Sequence, residues 1–89
     1  MHHDERTDSL ITRLKRIEGQ VRGLQRMVSE GVYCIDVITQ TSAVKQALSN
    51  IEDILLEGHL SHCLIEQVKA GQPEKAKTEI LKVYKLKRR

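Results

Sequence analysis

The sequence predicts an all-α protomer of three helices, and three observations support that class. Apolar residues recur every three or four positions along two long stretches, which is the spacing of one face of an α-helix. The residues that end helices, Gly31, Gly71 and Pro73, lie where those stretches stop. The chain has 89 residues with two tyrosines and no Phe or Trp, so one copy has little large apolar side chain to bury alone. We therefore expect its helices to associate with those of other copies.

The first helix is predicted over about residues 8–30, after a polar tail of residues 1–7 that we expect to be flexible. Asp8 or Ser9 is a suitable N-cap, because either side chain can accept a hydrogen bond from a first-turn amide. The apolar positions then alternate in steps of four and three. This is the heptad pattern of helices that pack along a seam: Leu10, Leu14, Ile17, Val21, Leu24 and Val28.

Basic residues cover much of the rest of this helix, opposite the seam and along its flanks: Arg13, Lys15, Arg16, Arg22 and Arg26. A charged helix face is usually plain solvated surface, but this density makes contact with nucleic-acid phosphates an equally strong interpretation. Gly19 and Gly23, one turn apart, lower the helix propensity. Their lack of side chains would allow close approach of another helix or of a nucleic-acid backbone, and the pattern does not separate these two uses.

The second helix is predicted over about residues 33–70 and contains both cysteines of the chain, Cys34 and Cys63, together with His59. His59 and Cys63 are four apart, so they project from one helix face and can share a ligand. Cys34 precedes His59 by 25 residues, which is about 37 Å of helix, yet it points within about 20° of the same direction. An antiparallel second copy would therefore bring Cys34 of one chain beside His59 and Cys63 of the other. We predict a homodimer with two intersubunit Cys/His/Cys sites.

The third helix is predicted over about residues 73–87. Pro73 suits a first helical turn, and the apolar residues from Ala76 to Tyr84 supply a face that can dock. The helix ends in a basic run that favours the negative end of the helix dipole and is a further candidate for contact with DNA.

The donor set of Cys34, His59 and Cys63 favours Cu(I), because two thiolates and one imidazole form a soft site of low coordination number. Zinc normally takes four ligands, and Ni(II) prefers nitrogen and oxygen donors. A His-x-x-x-Cys pair by itself often arises by chance; the third residue on the same line is what raises the metal interpretation. His62, or His2 and His3 in the tail, could supply an additional ligand, so nickel and zinc remain alternatives.

Other classes of protein fit the sequence less well. No long apolar run or signal peptide is recognisable, so we expect a cytoplasmic protein whose cysteines remain thiols. No arrangement of nucleophile, base and orienting group is visible, and we do not expect an enzyme. The net charge of +3 is modest, but the clustering of the positive residues suits a polyanionic partner.

Four segments resemble the copper-sensitive operon repressor (CsoR) family, over nearly the whole chain. They are R-L-K-R-I-E-G-Q-V-R-G at residues 13–23, Y-C-I-D-V at 33–37, S-A-V at 42–44 and H-L-S-H-C at 59–63. The resemblance implies a three-helix protomer that pairs into an antiparallel four-helix-bundle dimer and then into a dimer-of-dimers tetramer. It also implies that Cys34 of one protomer, with His59 and Cys63 of its partner, holds the metal.

The resemblance further implies roles for residues around the metal and on the DNA face. Tyr33 and Glu79 match the pair that the family places to hydrogen-bond the other nitrogen of the ligand histidine. Arg13 matches an arginine that the family uses on DNA. Asn50 departs from the pattern, because some copper sensors have a basic residue there, and Lys45 is the candidate to compensate. The resulting expected DNA contacts are Arg13, Lys15, Arg16, Arg22 and Lys45.

The function that follows is a Cu(I)-responsive transcriptional repressor, bound to operator DNA without metal and released by copper so that copper efflux or resistance genes are expressed. Relatives in the resembling family that respond to nickel or cobalt, to formaldehyde or to persulfides lack one of the three residues Cys34, His59 and Cys63 at the matching positions. Retention of all three favours copper. A nickel/cobalt- or zinc-responsive repressor, and a cytosolic copper buffer without a DNA role, remain the alternatives.

Overall fold

The computed structural model describes residues 5–88, and its secondary structure over that range is entirely helical. Helix α1 spans Glu5–Ser29 and α2 spans Cys34–Gly58; a π-helical turn over His59–Cys63 leads into α3, Leu64–Lys69, and α4 spans Pro73–Lys87. No strand occurs among the described residues. The predicted all-α class is confirmed, and the predicted second helix corresponds to α2, the π turn and α3 together.

Helix α1 begins earlier than the sequence predicted. It starts at Glu5, so residues 5–7 are helical and not part of a flexible tail, and Asp8 and Ser9 lie inside the helix where neither can be the N-cap. The first turn contains Glu5 and Asp8, and carboxylates there are stabilised by the positive end of the helix dipole. The Asp8 carbonyl also accepts a hydrogen bond from the Thr12 hydroxyl, at 3.0 Å. The two acidic side chains therefore favour helix at residues 5–8, ahead of the predicted start.

Two glycines end helices in the way that the sequence predicted. Gly31 and Gly71 have φ of 70° and 77°, the left-handed conformation that favours glycine. After α1, the Val32 amide donates to the Met27 carbonyl and the Gly31 amide to the Val28 carbonyl. After α3, equivalent bonds join residues 72 to 67 and 71 to 68. Both are Schellman motifs, which satisfy the last carbonyls of a helix and turn the chain sharply.

The described residues group into two compact units, one up to Asp53 and one from Ile54 onward. In the first unit the buried side chains are Leu10 and Ile17 of α1 and Val44 and Ile51 of α2. Within each helix the two residues are seven apart, so each helix buries one heptad stripe. Val28, the last residue of the predicted α1 seam, is 67% exposed, against 5% for Leu10. The seam of a single chain is therefore covered over only part of its length.

In the second unit α3 packs against α4. Ala76 is the most buried residue of the described chain, at 2% exposure, and its small side chain permits the close approach of the two helices. The two helices are also joined by a hydrogen bond from Gln67 of α3 to Glu79 of α4. This pairing holds α4 against α3, the helix that continues from the π turn with two of the predicted metal ligands.

Large apolar side chains remain exposed in both units. In the first unit several lie around the turn that joins α1 to α2, and in the second they lie beside the π turn and along α4: Val28, Tyr33, Ile35 and Ile38, then Leu60, Ile65, Val68, Leu81, Tyr84 and Leu86. Exposed apolar side chains in such number suit association with another chain.

Candidate metal centre and nucleic-acid face

His59 and Cys63 are the first and last residues of the π-helical turn. The Leu64 amide donates to the His59 carbonyl, five residues back, where an α-helix would use the carbonyl four residues back. The prediction of one continuous α-helix over this stretch is wrong at this turn. A π turn contains more residues per turn than an α-helix, and such turns are frequent at functional sites. The relative direction of the two side chains therefore differs from the α-helical spacing on which their pairing was predicted.

His59 faces a carboxylate of α4. Its Nε2 atom lies 3.7 Å from Glu79 Oε2, with the histidine side chain 29% exposed and the carboxylate 40%. That separation is longer than a hydrogen bond, so the two groups are adjacent without being bonded. Because Nε2 points at Glu79, Nδ1 is the imidazole nitrogen left for a metal ion. The structure thus brings together His59 and Glu79, which the resemblance assigned to one network.

The Glu79 carboxylate is held from a second side. The Gln67 amide nitrogen donates to the same Oε2 atom, at 3.0 Å, and the bond is partly buried. Gln67 lies on α3, one helical turn after Cys63, and its side chain reaches Glu79 on α4. Gln67 is not among the residues predicted from sequence, because its spacing of four from Cys63 is too common to single it out.

The structure contains one chain, so it shows the two predicted thiol ligands only within a single protomer. Cys34 is the first residue of α2, and both Cys34 and Cys63 are exposed free thiols. Among residues 5–88 of one chain, no three His, Cys, Asp or Glu side chains form a group that could hold a metal ion. The predicted site takes its ligands from two chains, so it stays a prediction. The donor set still fits a soft metal, because two accessible thiols and an imidazole with one nitrogen to spare are the ligands that Cu(I) prefers.

Other residues named for the metal site have simpler surroundings. Tyr33 immediately precedes α2, where its carbonyl accepts hydrogen bonds from the amides of Asp36 and Val37, and its side chain is exposed. His62 is exposed beside Cys63. His2 and His3 lie outside the described residues. The part of any of these residues in metal binding remains a prediction.

The predicted DNA-contact residues are all exposed and all belong to the first unit: Arg13, Lys15, Arg16, Arg22 and Lys45. The Arg22 guanidinium pairs with Glu18 one turn away, at 3.1 Å. An exposed ion pair of this kind contributes about 0.3–0.5 kcal/mol, so Arg22 can exchange Glu18 for a phosphate at little cost. Asn50, which stands where some copper sensors of the family have a basic residue, accepts a hydrogen bond from the Gln46 side-chain amide.

Gly19 and Gly23 lie on the same face as these basic residues. Counted from Leu10 at about 100° per residue, both glycines point away from the buried stripe, between Lys15 and Arg16. A Cβ atom added at either glycine would meet nothing within 4 Å. Close approach of another helix from the same chain is therefore not their use, and any closely approaching backbone must belong to another molecule.

The chain matches the family of metal-sensitive transcriptional repressors over residues 6–86. That match covers nearly all of the described helices. The chain belongs to the metal-sensitive transcriptional repressor family. Membership confirms the resemblance inferred from the four sequence segments, and it places the helical fold and the exposed basic α1 in a family whose members act on transcription.

Individual members of the family give the comparison more detail. The copper-sensing transcriptional repressor CsoR of Bacillus subtilis is 49% identical over 78 residues, which is 88% of this chain and 77% of that protein. The copper-sensing repressor CsoR of Geobacillus thermodenitrificans, solved with Cu(I), superimposes with a TM-score of 0.90 at 39% identity, covering 100% of this chain and 93% of the other. The nickel-responsive transcriptional regulator InrS superimposes with a TM-score of 0.76 at 32% identity, covering 96% of both chains.

No helix within residues 5–88 is long and apolar enough to cross a bilayer.

Proposed function

We propose that this chain is a Cu(I)-responsive transcriptional repressor, bound to operator DNA in its metal-free form and released when copper binds. Release would allow expression of copper efflux or resistance genes. The observation that carries the proposal is the setting of His59, which shares a π turn with the Cys63 thiol and directs Nε2 at Glu79. Similarity to copper-sensing relatives in two organisms supports the choice of metal.

The metal would be held by three residues from two chains: Cys34 of one protomer with His59 and Cys63 of its partner. Two thiolates and the Nδ1 atom of His59 complete a three-coordinate set suited to Cu(I). Exposed apolar residues flank Cys34 in the first unit and the π turn in the second. An antiparallel dimer that covers these residues would bring the two halves of the site together, and the same reasoning extends to a tetramer of two dimers.

The DNA contact would come from the exposed basic side chains of the first unit, with Arg13, Lys15, Arg16, Arg22 and Lys45 neutralising phosphates. The oriented guanidinium groups and the lysine ammonium groups suit backbone contact, which positions a protein on DNA. Gly19 and Gly23 would let the phosphate backbone approach α1 closely. A cytoplasmic location and the absence of catalysis follow from this role.

The switch would run from His59 to α4 through Glu79. A metal ion on Nδ1 fixes the ring direction and makes Nε2–H a better donor. A small approach of the ring would then convert the 3.7 Å separation from Glu79 into a hydrogen bond. Because Glu79 is on α4, that bond would favour one arrangement of the second unit, and DNA release requires only that the two arrangements differ in DNA affinity. Tyr33 would serve the same network from the partner chain.

Nickel is the second candidate, because the nickel-responsive InrS shares the fold and because His62 adjoins Cys63. Copper is favoured over nickel and zinc by the second thiol in the donor set, since Ni(II) prefers nitrogen and oxygen ligands and zinc prefers four ligands.

Operator binding measured by fluorescence anisotropy, on the chain's own upstream DNA, tests the proposal. We expect tight binding without metal and a loss of affinity of about 5-fold to 150-fold with one Cu(I) per chain, the usual range of such coupling. Ni(II) and Zn(II) at the same occupancy should have a smaller effect. Cu(I) binding without any DNA binding would instead indicate a copper buffer.

A further inference from the structure

Gln67 contacts the Glu79 carboxylate that faces His59, and it has no role in the proposed switch. Its amide nitrogen lies 3.0 Å from Glu79 Oε2, while its own Oε1 atom is buried without a hydrogen-bond partner among the described residues. A reversed amide would bring two acceptor oxygens face to face, so the orientation is fixed by Glu79. A buried, unpartnered acceptor costs free energy, and a position that only filled space would be better served by an apolar side chain.

The two contacts of Glu79 converge on a single atom. Gln67 bonds to Oε2, and His59 Nε2 lies 3.7 Å from the same Oε2. A carboxylate oxygen has lone pairs for two donors, so the bond from Gln67 leaves room for one from His59. With the carboxylate tied to α3, a carboxyl group that would otherwise rotate among several conformers stays opposite the imidazole. Any shortening of the His59–Glu79 distance then has to come from the histidine or from movement of α4.

We propose that Gln67 is a positioning residue that holds Glu79 Oε2 opposite His59 Nε2, so that the response of His59 to metal reaches α4. The copper part of this inference rests on the proposed function; the holding of Glu79 does not. Gln67 need not touch the metal ion. It acts through Glu79 and should therefore affect how strongly copper and DNA binding are coupled, with little effect on how much copper binds.

A purely structural role is the competing explanation, because the same bond ties α3 to α4. Loss of a structural tie would lower the melting temperature but leave unchanged the ratio of operator affinities with and without copper. The ratio therefore separates the two roles. Gln67→Met removes the donor at similar length, and Gln67→Glu replaces it with a second carboxylate that repels Glu79. Gln46→Met is the matched control, because the Gln46 side-chain amide also donates a hydrogen bond, to Asn50 Oδ1, but does so on an exposed part of α2.

In the copper experiment we expect Gln67→Met to reduce the copper-induced loss of operator affinity by about fivefold, and Gln67→Glu to reduce it further. Copper stoichiometry and the operator affinity of the metal-free protein should change little, and Gln46→Met should behave like the parent. In a Glu79→Gln background, Gln67→Met should have no additional effect on the ratio, because the two residues act in series. Gln67 variants that respond to copper as fully as the parent would overturn the inference.

A second measurement on the metal-free protein keeps the inference separate from the proposed function. The side-chain amide of Gln67 can be followed by NMR, and we expect Glu79→Ala, but not Glu66→Ala, to shift its resonances and to speed exchange of its protons with water. This NMR measurement does not depend on copper. If copper fails to release the parent protein from DNA, the proposed function is wrong, but the amide resonances still show whether Gln67 holds Glu79. If the Gln67 amide resonances are unchanged in the Glu79→Ala variant, the positioning role is refuted, whether or not copper releases the protein from DNA.

Discussion

The two compact units of the chain are built for different kinds of interaction. In the first unit the candidates for DNA contact are exposed cations, and Arg22 pairs with Glu18 of its own helix. In the second unit the candidates converge on one atom of α4: Gln67 donates a hydrogen bond to Glu79 Oε2, and His59 Nε2 lies 3.7 Å from the same oxygen. Independent surface charges add their effects, whereas groups in one network do not. We therefore expect mutations in the first unit to change DNA affinity in small steps and mutations in the second to change the response to copper sharply.

The largest effect should come from the ligands, which are divided between the two units. Cys34→Ala or Cys63→Ala should abolish high-affinity Cu(I) binding, because two remaining soft donors cannot complete the three-coordinate site. Competition with a Cu(I) chelator of known affinity measures the loss. Ser61→Ala, in the same π turn, is the control and should bind normally.

The division of the site can itself be tested by mixing the two cysteine variants. A heterodimer of Cys34→Ala and Cys63→Ala chains should contain one intact site and one lacking both thiols, so mixing should restore binding in the heterodimer fraction. If mixed chains bind no copper although heterodimers form, the ligands do not come from two chains.

Next in size should be the loss of coupling in the second unit. Glu79→Ala removes the acceptor that faces His59 Nε2, so we expect near-normal copper binding but a complex that stays on DNA. Each tenfold of lost response corresponds to about 1.4 kcal/mol of coupling free energy. Operator affinity measured with and without saturating Cu(I) gives the value. Glu66→Ala on α3 is the control, and Tyr33→Phe should show the same type of defect if the phenol joins the network from the partner chain.

If copper releases the Glu79→Ala and Tyr33→Phe variants from DNA as completely as the parent, the carboxylate network does not couple copper binding to DNA release. The signal would then pass through the thiolates and the backbone of the π turn, without the carboxylate on α4.

Smaller effects should follow from single basic residues of the first unit. Alanine at Arg13, Lys15, Arg16, Arg22 or Lys45 should weaken operator binding while leaving Cu(I) affinity unchanged. Each lost phosphate contact lowers the slope of log affinity against log salt by about 0.9, and a tetramer can repeat a contact. Lys75→Ala on α4 removes the same charge from the second unit and should leave the slope unchanged. Equal slopes for all five variants and the parent would favour a copper buffer.

The sequence predicted the helical class well, because heptad spacing and helix-ending glycines are local signals. Gly31 and Gly71 end their helices with the expected conformation, and Pro73 begins α4. The prediction placed the start of α1 about a turn too late, because acidic residues in a first turn, here Glu5 and Asp8, are a weak signal in sequence. The π turn was also missed, since α and π turns share side-chain preferences and differ only in their hydrogen bonds.

The candidate site was predictable in part. The pairing of His59 with Glu79 could be expected only from the resemblance, because twenty residues and a helix reversal separate them. Gln67 could not be found from sequence, since a glutamine one turn after Cys63 is unremarkable until α4 is in place. Contacts that depend on tertiary packing are therefore where the structure added most.

The smallest expected effect concerns the two glycines of the basic face, where one measurement separates two uses of α1. Neither has a positive φ, and a Cβ at either position meets nothing within 4 Å. Gly19→Ala and Gly23→Ala should each stabilise α1 by about 0.8–1.0 kcal/mol from helix propensity alone. If the DNA backbone approaches the helix here, the same changes should lower operator affinity while raising the melting temperature of the metal-free protein. Gln25→Ala, elsewhere on the exposed surface of α1, should alter neither. A stabilised protein with unchanged operator affinity would show that DNA keeps its distance from this face, whereas a destabilised one would mean that another copy of the chain packs against the glycines.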